Sequence, residues 1–321
     1  MRRRQFLSAA TATLAAPAIA HAQTWPSKPA RLIVSFPAGG ATDLVARPWA
    51  EALSKALGQQ CVVENRAGAS GMIGNEAAFR SAPDGHTFLF TGNTGTVGIP
   101  QLYKLSYDAR QFVAIAHLGN GVSGFTIHPG VGVKTFAEFL DYARKNPGKL
   151  NFGSAGNGTS HHLAAELFKT STGVQMTHIP YKGAGPMMQD LLAGQVDLAF
   201  DGMGTSAPQI RGQKLRPLAV TTTTRSPVLP GTPTLQEAGV ANYEVQTWYA
   251  LWAVKGTPPP IIDRMQAEVA KALQEPQMRE IWANQSATLG GWPQAQFSDF
   301  VKNEIAKWSK VVKDSGAKID N

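Results

Sequence analysis

Apolar and polar positions along this chain switch between two periods. Arg31-Leu32-Ile33-Val34-Ser35-Phe36 is an apolar run of strand length, broken by Pro37-Ala38-Gly39-Gly40. Behind the capping residues Thr42 and Asp43, Leu44, Val45, Trp49, Leu53 and Leu57 recur at helical spacing, and Gly58 ends the pattern. A second strand is predicted at Gln60-Cys61-Val62-Val63-Glu64. The loop Gly68-Ala69-Ser70-Gly71 then opens a helix to about residue 80. After the turn Pro83-Asp84-Gly85, Thr87-Phe88-Leu89-Phe90-Thr91 reads as a third strand. Strand, helix, strand, helix, strand in this order predicts a parallel sheet with right-handed crossovers.

The middle of the chain repeats the theme. Phe125-Thr126-Ile127 is a strand, and Thr135 caps a helix to Lys145 that Asn146-Pro147-Gly148 stops. Leu150-Asn151-Phe152 feeds a glycine-rich segment, Gly153-Ser154-Ala155-Gly156-Asn157-Gly158-Thr159, and a helix to about residue 171. Strands follow at 176–181, 196–200 and 215–220, with a helix opening at Lys182-Gly183-Ala184-Gly185-Pro186. The stretch 221–233, rich in Thr, Pro and Ser, is a connection. An aromatic strand at 243–254 and helices at 258–273, 277–285 and 294–314 complete the chain. At 321 residues the chain exceeds what one hydrophobic core usually serves, so two α/β lobes are expected.

The N-terminus has another character. Met1-Arg2-Arg3-Arg4 is a charged start, residues 6–19 are a short Ala-rich apolar stretch, and Ala20-His21-Ala22 is an A-x-A cleavage signal. Residues 1–22 are therefore expected to be a removable export signal, with Arg3-Arg4-Gln5-Phe6-Leu7 fitting the twin-arginine route. The expected location is the periplasm. Without those three arginines the chain holds 27 basic and 22 acidic residues, a formal charge of +5. That mild excess steers anions, but no Lys/Arg cluster with stacking aromatics points to nucleic acid. Cys61 is the single cysteine, so no intrachain disulfide is possible, and its apolar strand context predicts a buried, inert thiol.

Enzyme and metal patterns fail on inspection. Gly130-Val131-Gly132-Val133-Lys134-Thr135 lacks the glycine that a phosphate loop needs directly before Lys-Thr. Gly68-Ala69-Ser70-Gly71 has its second glycine one place early for a nucleophile elbow, and Gly68-x-x-Gly71-x-x-Gly74 lacks the G-x-G core of a dinucleotide site. His161-His162 are neighbours on a helix, about 100° apart, and do not share an ion. No metal, no cofactor and no catalytic residue is expected. A repeated device remains: strands ending at Phe36, Glu64 and Phe152 run into glycine-rich loops that open helices. Such loops present backbone N–H groups and the positive end of a helix dipole, with Ser35, Thr42, Ser154 and Thr159 adding hydroxyls. Each loop alone is better explained by turn and cap chemistry, but three of them at strand ends favour a ligand site. Asp43 and Arg47 are spaced for a local ion pair. Asp201 either holds a ligand ammonium or hydroxyl or caps the next helix. Trp248 and Tyr249 are candidates to line a cleft, although strand alternation accounts for one of them.

The same loops resemble those of the Bug-type, or tripartite tricarboxylate transporter, substrate-binding proteins. The matches are Trp25-Pro26-Ser27-Lys28-Pro29; Phe36-Pro37-Ala38-Gly39-Gly40-Ala41-Thr42-Asp43 with Arg47; Val63-Glu64-Asn65-Arg66-Ala67-Gly68-Ala69-Ser70-Gly71 with Gly74; Pro83-Asp84-Gly85-His86-Thr87; Ser154-Ala155-Gly156-Asn157-Gly158-Thr159 with His162-Leu163; Pro180-Tyr181-Lys182-Gly183; and Gly194-Gln195-Val196-Asp197. The resemblance implies an α/β, type II periplasmic-binding-protein fold: two lobes joined by crossing strands, with a ligand cleft between them. Lobe 1 would comprise 23–122 and 231–321, and lobe 2 residues 123–230. It implies a monomeric receptor, not an enzyme, that captures a small mono- or dicarboxylate and delivers it to inner-membrane permease subunits. A sensor feeding a membrane signalling system, or an exported hydrolase, is the alternative. The implied ligand residues are Ser35, Pro37, Gly39, Gly40, Thr42 and Asp43 on one lobe and Ser154, Gly156, Gly158 and Thr159 on the other, with Tyr181 and Asp201 as additions.

Overall fold

A computed structural model describes residues 25–284 and 286–317; the expected leader, residues 1–22, lies outside them. The first strands follow the apolar runs closely: β1 (Ala30–Val34), β2 (Cys61–Asn65) and β3 (Thr87–Gly92), with α1 (Ala41–Leu57) and α2 (Met72–Phe79) between them. Helix α1 ends where Gly58 turns left-handed (φ 66°) and returns its N–H to Ser54 O, a conformation that favours glycine. Gly74 on α2 has another reason to be glycine. A Cβ there would lie 2.7 Å from the Ser35 Cα, so the helix packs directly on the end of β1. The Gly68, Gly71, Gly74 spacing serves packing.

The chain passes next through a helical turn at Thr94–Gly98, α3 (Ile99–Leu102) and β4 (Val113–Gly121). After Val122 alone, it enters β5 (Ser123–Ile127). Then come α4 (Phe136–Lys145), β6 (Asn151–Ser154), α5 (Ser160–Thr172), β7 (Thr177–Pro180), α6 (Ala184–Leu192), β8 (Leu198–Gly202), α7 (Met203–Arg211) and β9 (Arg216–Val220). The last elements are β10 (Thr247–Ala253), α8 (Pro259–Ala272), α9 (Pro276–Asn284), β11 (Ala287–Leu289) and α10 (Gln294–Ser315). The strands form two sheets, ordered β11-β4-β10-β3-β1-β2 and β7-β6-β8-β5-β9. β1, β2 and β3 are parallel, as are β6, β7 and β8. β10 runs antiparallel to β3 and β4, and β5 antiparallel to β8 and β9, so both sheets are mixed.

Two crossings join the sheets. One is the β4–β5 step at Val122; the other is the segment 221–246 between β9 and β10. They meet: Thr221 donates its N–H to Ser123 O at 3.0 Å, and the Ser123 and Thr247 hydroxyls lie 3.2 Å apart. The molecule is thus two α/β lobes on crossing strands.

Each sheet is stabilised by aromatic packing on its helices. Against the first sheet, Trp49 of α1 meets Trp282 of α9 edge-on, ring centroids 6.3 Å apart. In the second, Phe125, Phe139, Phe152, Phe168 and Phe200 are fully buried. That core continues through Tyr243, Trp248 and Trp308 to α10, whose face packs on α5. The lobes are therefore tied together on the α10 side.

Cys61 is buried on β2, and burial pushes its thiol up to about 12. At pH 8 the thiolate is then on the order of one part in ten thousand. Iodoacetamide is expected to leave the native protein unlabelled and to alkylate it fully in guanidinium, as read by intact mass.

Candidate ligand site between the lobes

A cavity of about 140 Å³ lies where the loops of the two sheets face each other. Its walls come from the loop after β1 (Phe36, Pro37, Ala38, Gly40), from Asn93 and Thr94 after β3, and from Ala155 and Thr159 after β6. The rest comes from the first turns of α1, α5 and α6, closed by Thr247, Trp248 and Tyr249 of β10. Three helices of nine residues or more therefore begin at one cavity. Gly40 and Gly183, which cap α1 and α6, offer no side chain to their first N–H groups. Those donors and the dipoles behind them give the cavity a positive character. No Lys, Arg, Asp or Glu lines it.

The expected site residues divide into those that face this cavity and those that shape its walls. Pro37, Gly40, Thr42 and Thr159 line it. Thr159 also builds the wall, donating its hydroxyl to Gly156 O at 2.7 Å and capping α5 through the His162 N–H. Ser35 is fully buried, its hydroxyl 2.5 Å from Asn75 Oδ1; Asn75 in turn donates to Gly95 O. Ser35 thereby fixes the turn that carries Thr94. Asp43 is buried and saturated: Gly39 N–H, Arg47 Nε and Asn65 Nδ2 reach it at 2.8 to 2.9 Å. Burial raises the pKa of this carboxyl, but these hydrogen bonds outweigh it and hold the group below the ordinary aspartate value. Asp43 and Gly39 thus lock the Phe36–Gly40 loop in shape.

On the other lobe, Ser154 is buried and accepts the Gly156 N–H at 3.1 Å. Its hydroxyl lies 2.6 Å from His178 Nε2, a spacing seen in nucleophile–base pairs. Burial, and then the charge of Lys169, push His178 down to about 4, and Ser154 lines neither interlobe cavity. The pair braces the loop. Gly158 packs against Gly98. Gly156 and Tyr181 line a second cavity of about 230 Å³ with Gly68–Gly71, Asn157 and Lys182, on the far side of Pro37 and Ala155. The loop after β2 faces that space and not the first cavity. Tyr181 donates its hydroxyl to Asp190 at 2.7 Å. Asp201 lies behind the first cavity, next to His161.

Asn93, Thr94, Ser160, His161 and residues 184–186 join the cavity without having been singled out as ligand contacts from the sequence. Their signal is present in part: Gly92-Asn93-Thr94-Gly95-Thr96 after β3 repeats the glycine-and-hydroxyl device of the other loops. Of the adjacent histidines, His161 faces Asp201, and His162 accepts the Gly158 N–H and stacks on His178. Among the described residues no cluster of three or more His, Cys, Asp or Glu is placed to hold a metal ion, and no helix is long and apolar enough to cross a membrane.

Residues 45–317 match the model of the tripartite tricarboxylate transporter family receptor. The chain belongs to that family. Protein BugT of Bordetella pertussis is 36% identical over 313 residues, spanning 97% of this chain and 95% of the relative. Two solved structures of Rhodopseudomonas palustris proteins are also similar. Rpa4515 with adipate is 35% identical with a TM-score of 0.88, covering 92% of this chain and 100% of the other. MatC with bound malate is 30% identical with a TM-score of 0.85, covering 90% and 100%. The two-lobed architecture is that of a periplasmic binding protein, and the family is one of solute receptors for transport.

Proposed function

We propose that this receptor captures a small mono- or dicarboxylate between its lobes in the periplasm and presents it to inner-membrane permease subunits. The observation that carries this reading is the meeting of three helix N-termini at one interlobe cavity that neither Lys nor Arg lines. Backbone donors and helix dipoles suit a carboxylate, and the partition of donors between lobes suits capture by closure. Similar proteins that hold adipate and malate support the same ligand class. The contacts fall to Pro37, Gly40, Thr42 and Thr159, joined by Thr94 and Ser160, with Trp248 and Tyr249 as the apolar wall. Ser35, Asp43 and Ser154 act one layer behind, holding the loops.

A carboxylate panel tests this by calorimetry and thermal shift. A ligand at one hundred times its dissociation constant stabilises the native state by about 2.7 kcal/mol, because it binds the folded protein alone. Silence across the whole panel would remove the carboxylate reading. Turnover of a bound acid would move the protein to the hydrolase alternative.

A further inference from the structure

His161 is the one imidazole lining the cavity among the described residues. It sits in the first turn of α5, two residues after the cap Thr159, beside the N–H groups assigned above to the ligand. It is only 8% exposed, and its Nδ1 has no hydrogen-bond partner in the protein. Behind it, Asp201 is fully buried on β8. The Thr205 and Ser206 hydroxyls donate to Asp201 Oδ2 at 2.5 and 2.6 Å, whereas Oδ1 has no hydrogen-bond partner and lies 3.7 Å from His161 Nε2. That separation suits an ion pair and is long for a hydrogen bond. Two unsatisfied polar atoms in one buried pair at a cavity wall call for a partner from outside the chain.

We infer that His161 is a proton-linked specificity residue, which receives a carboxylate of the bound solute as imidazolium, held between that carboxylate and Asp201. The inference rests on the carboxylate reading above and adds the charge state in which the acid is recognised. The groups around the imidazole leave this role to it. Asp201 faces it from β8. From β10 comes Tyr249, whose phenol is held protonated at neutral pH by burial and by the Asp201 charge. The parts of α1, α6 and residues 93–94 that line the cavity bring no ionisable side chain.

The electrostatic sign follows. In the protein alone, burial lowers the His161 pKa below the ordinary imidazole value, against the pull of Asp201. A carboxylate beside it adds a second negative charge and raises that pKa. Binding therefore takes up a proton. Between the free and the bound pKa the dissociation constant rises with pH, by at most about tenfold per unit. The acids are mostly ionised at about pH 6 and fully by about pH 7, and what remains of their own titration strengthens anion binding as pH rises, the opposite sign to the slope expected from His161.

Titration calorimetry from pH 6 to 8, in two buffers of different ionisation heat, tests the idea. The probes are a panel of mono- and dicarboxylates running from acetate through malate to adipate. Wild type is expected to take up close to one proton per acid bound at the lower pH values and to bind more weakly as pH rises. His161→Gln, which keeps a hydrogen-bonding side chain but cannot titrate, is expected to bind with neither uptake nor slope. Asp201→Asn is expected to take up less, because the imidazolium loses its counter-charge. Wild-type binding without uptake or slope overturns this inference and leaves the carboxylate reading standing, as does a His161→Gln protein that retains both. No heat from any acid overturns both readings together.

Discussion

Gly98→Ala is expected to lower ligand affinity by about 5- to 150-fold while each lobe stays folded. Gly98 ends the helical turn that carries Thr94, and a Cβ on it would sit 2.2 Å from Gly158 O of the loop after β6. Its φ of −67° suits alanine, so the backbone of its own lobe accepts the change. The obstruction lies only across the cleft, where the Ser160 N–H also donates to Thr94 Oγ1 at 3.2 Å. An added methyl at such a contact costs about 1–3 kcal/mol, which is the affinity range given, because binding must overcome it to bring the loops together. Calorimetry with the tightest acid of the panel reads the loss, and the unliganded melting curve serves as control. An unchanged affinity would show that capture does not bring these two loops into contact.

Phe125→Ala is expected to destabilise the fold itself, by about 3–5 kcal/mol. Phe125 has no exposed surface and stands on β5, one residue pair beyond the lobe crossing. Its ring centroid lies 4.8 Å from Phe200, 4.9 Å from Phe139 and 5.2 Å from Phe168, so four elements lose a shared contact at once. The urea midpoint should fall accordingly, and the fraction still folded should bind as wild type, since Phe125 lines neither interlobe cavity. A cost below about 1 kcal/mol would mean the aromatic cluster repacks around the gap.

The elements legible in the sequence are those with one dominant period. The Thr135 cap and the stop at Asn146 bracket α4 at Phe136–Lys145, where the pattern places it. β4 is not legible: His117, Gly119, Asn120 and Gly121 interrupt its apolar positions, and it is a strand because β10 and β11 flank it. α7 escapes for a related reason, since Thr205, Ser206 and Pro208 leave no apolar stripe. At the site, the loops themselves are visible from their glycines and hydroxyls, but the direction each faces is not. Local spacing gives the Asp43–Arg47 pair, but it cannot say that Gly68–Gly71 opens on the second cavity, or that Asp43 also takes the Asn65 amide from β2. The first depends on how two sheets far apart in sequence meet, the second on how β2 lies beside β1.

A cavity that gathers main-chain donors at three helix starts has a bearing on how such receptors diversify. On the carboxylate reading, every wall residue except proline can offer an N–H to the acid, so substitutions along the walls leave most of those donors in place. What they alter is the remainder of the lining: Thr94, His161, Trp248 and Tyr249 here. The main-chain share of the acid's anchoring and the side-chain share, His161 included, are then held by different atoms. One can drift under mutation without the other, and a single scaffold can be retuned to new solutes one side chain at a time.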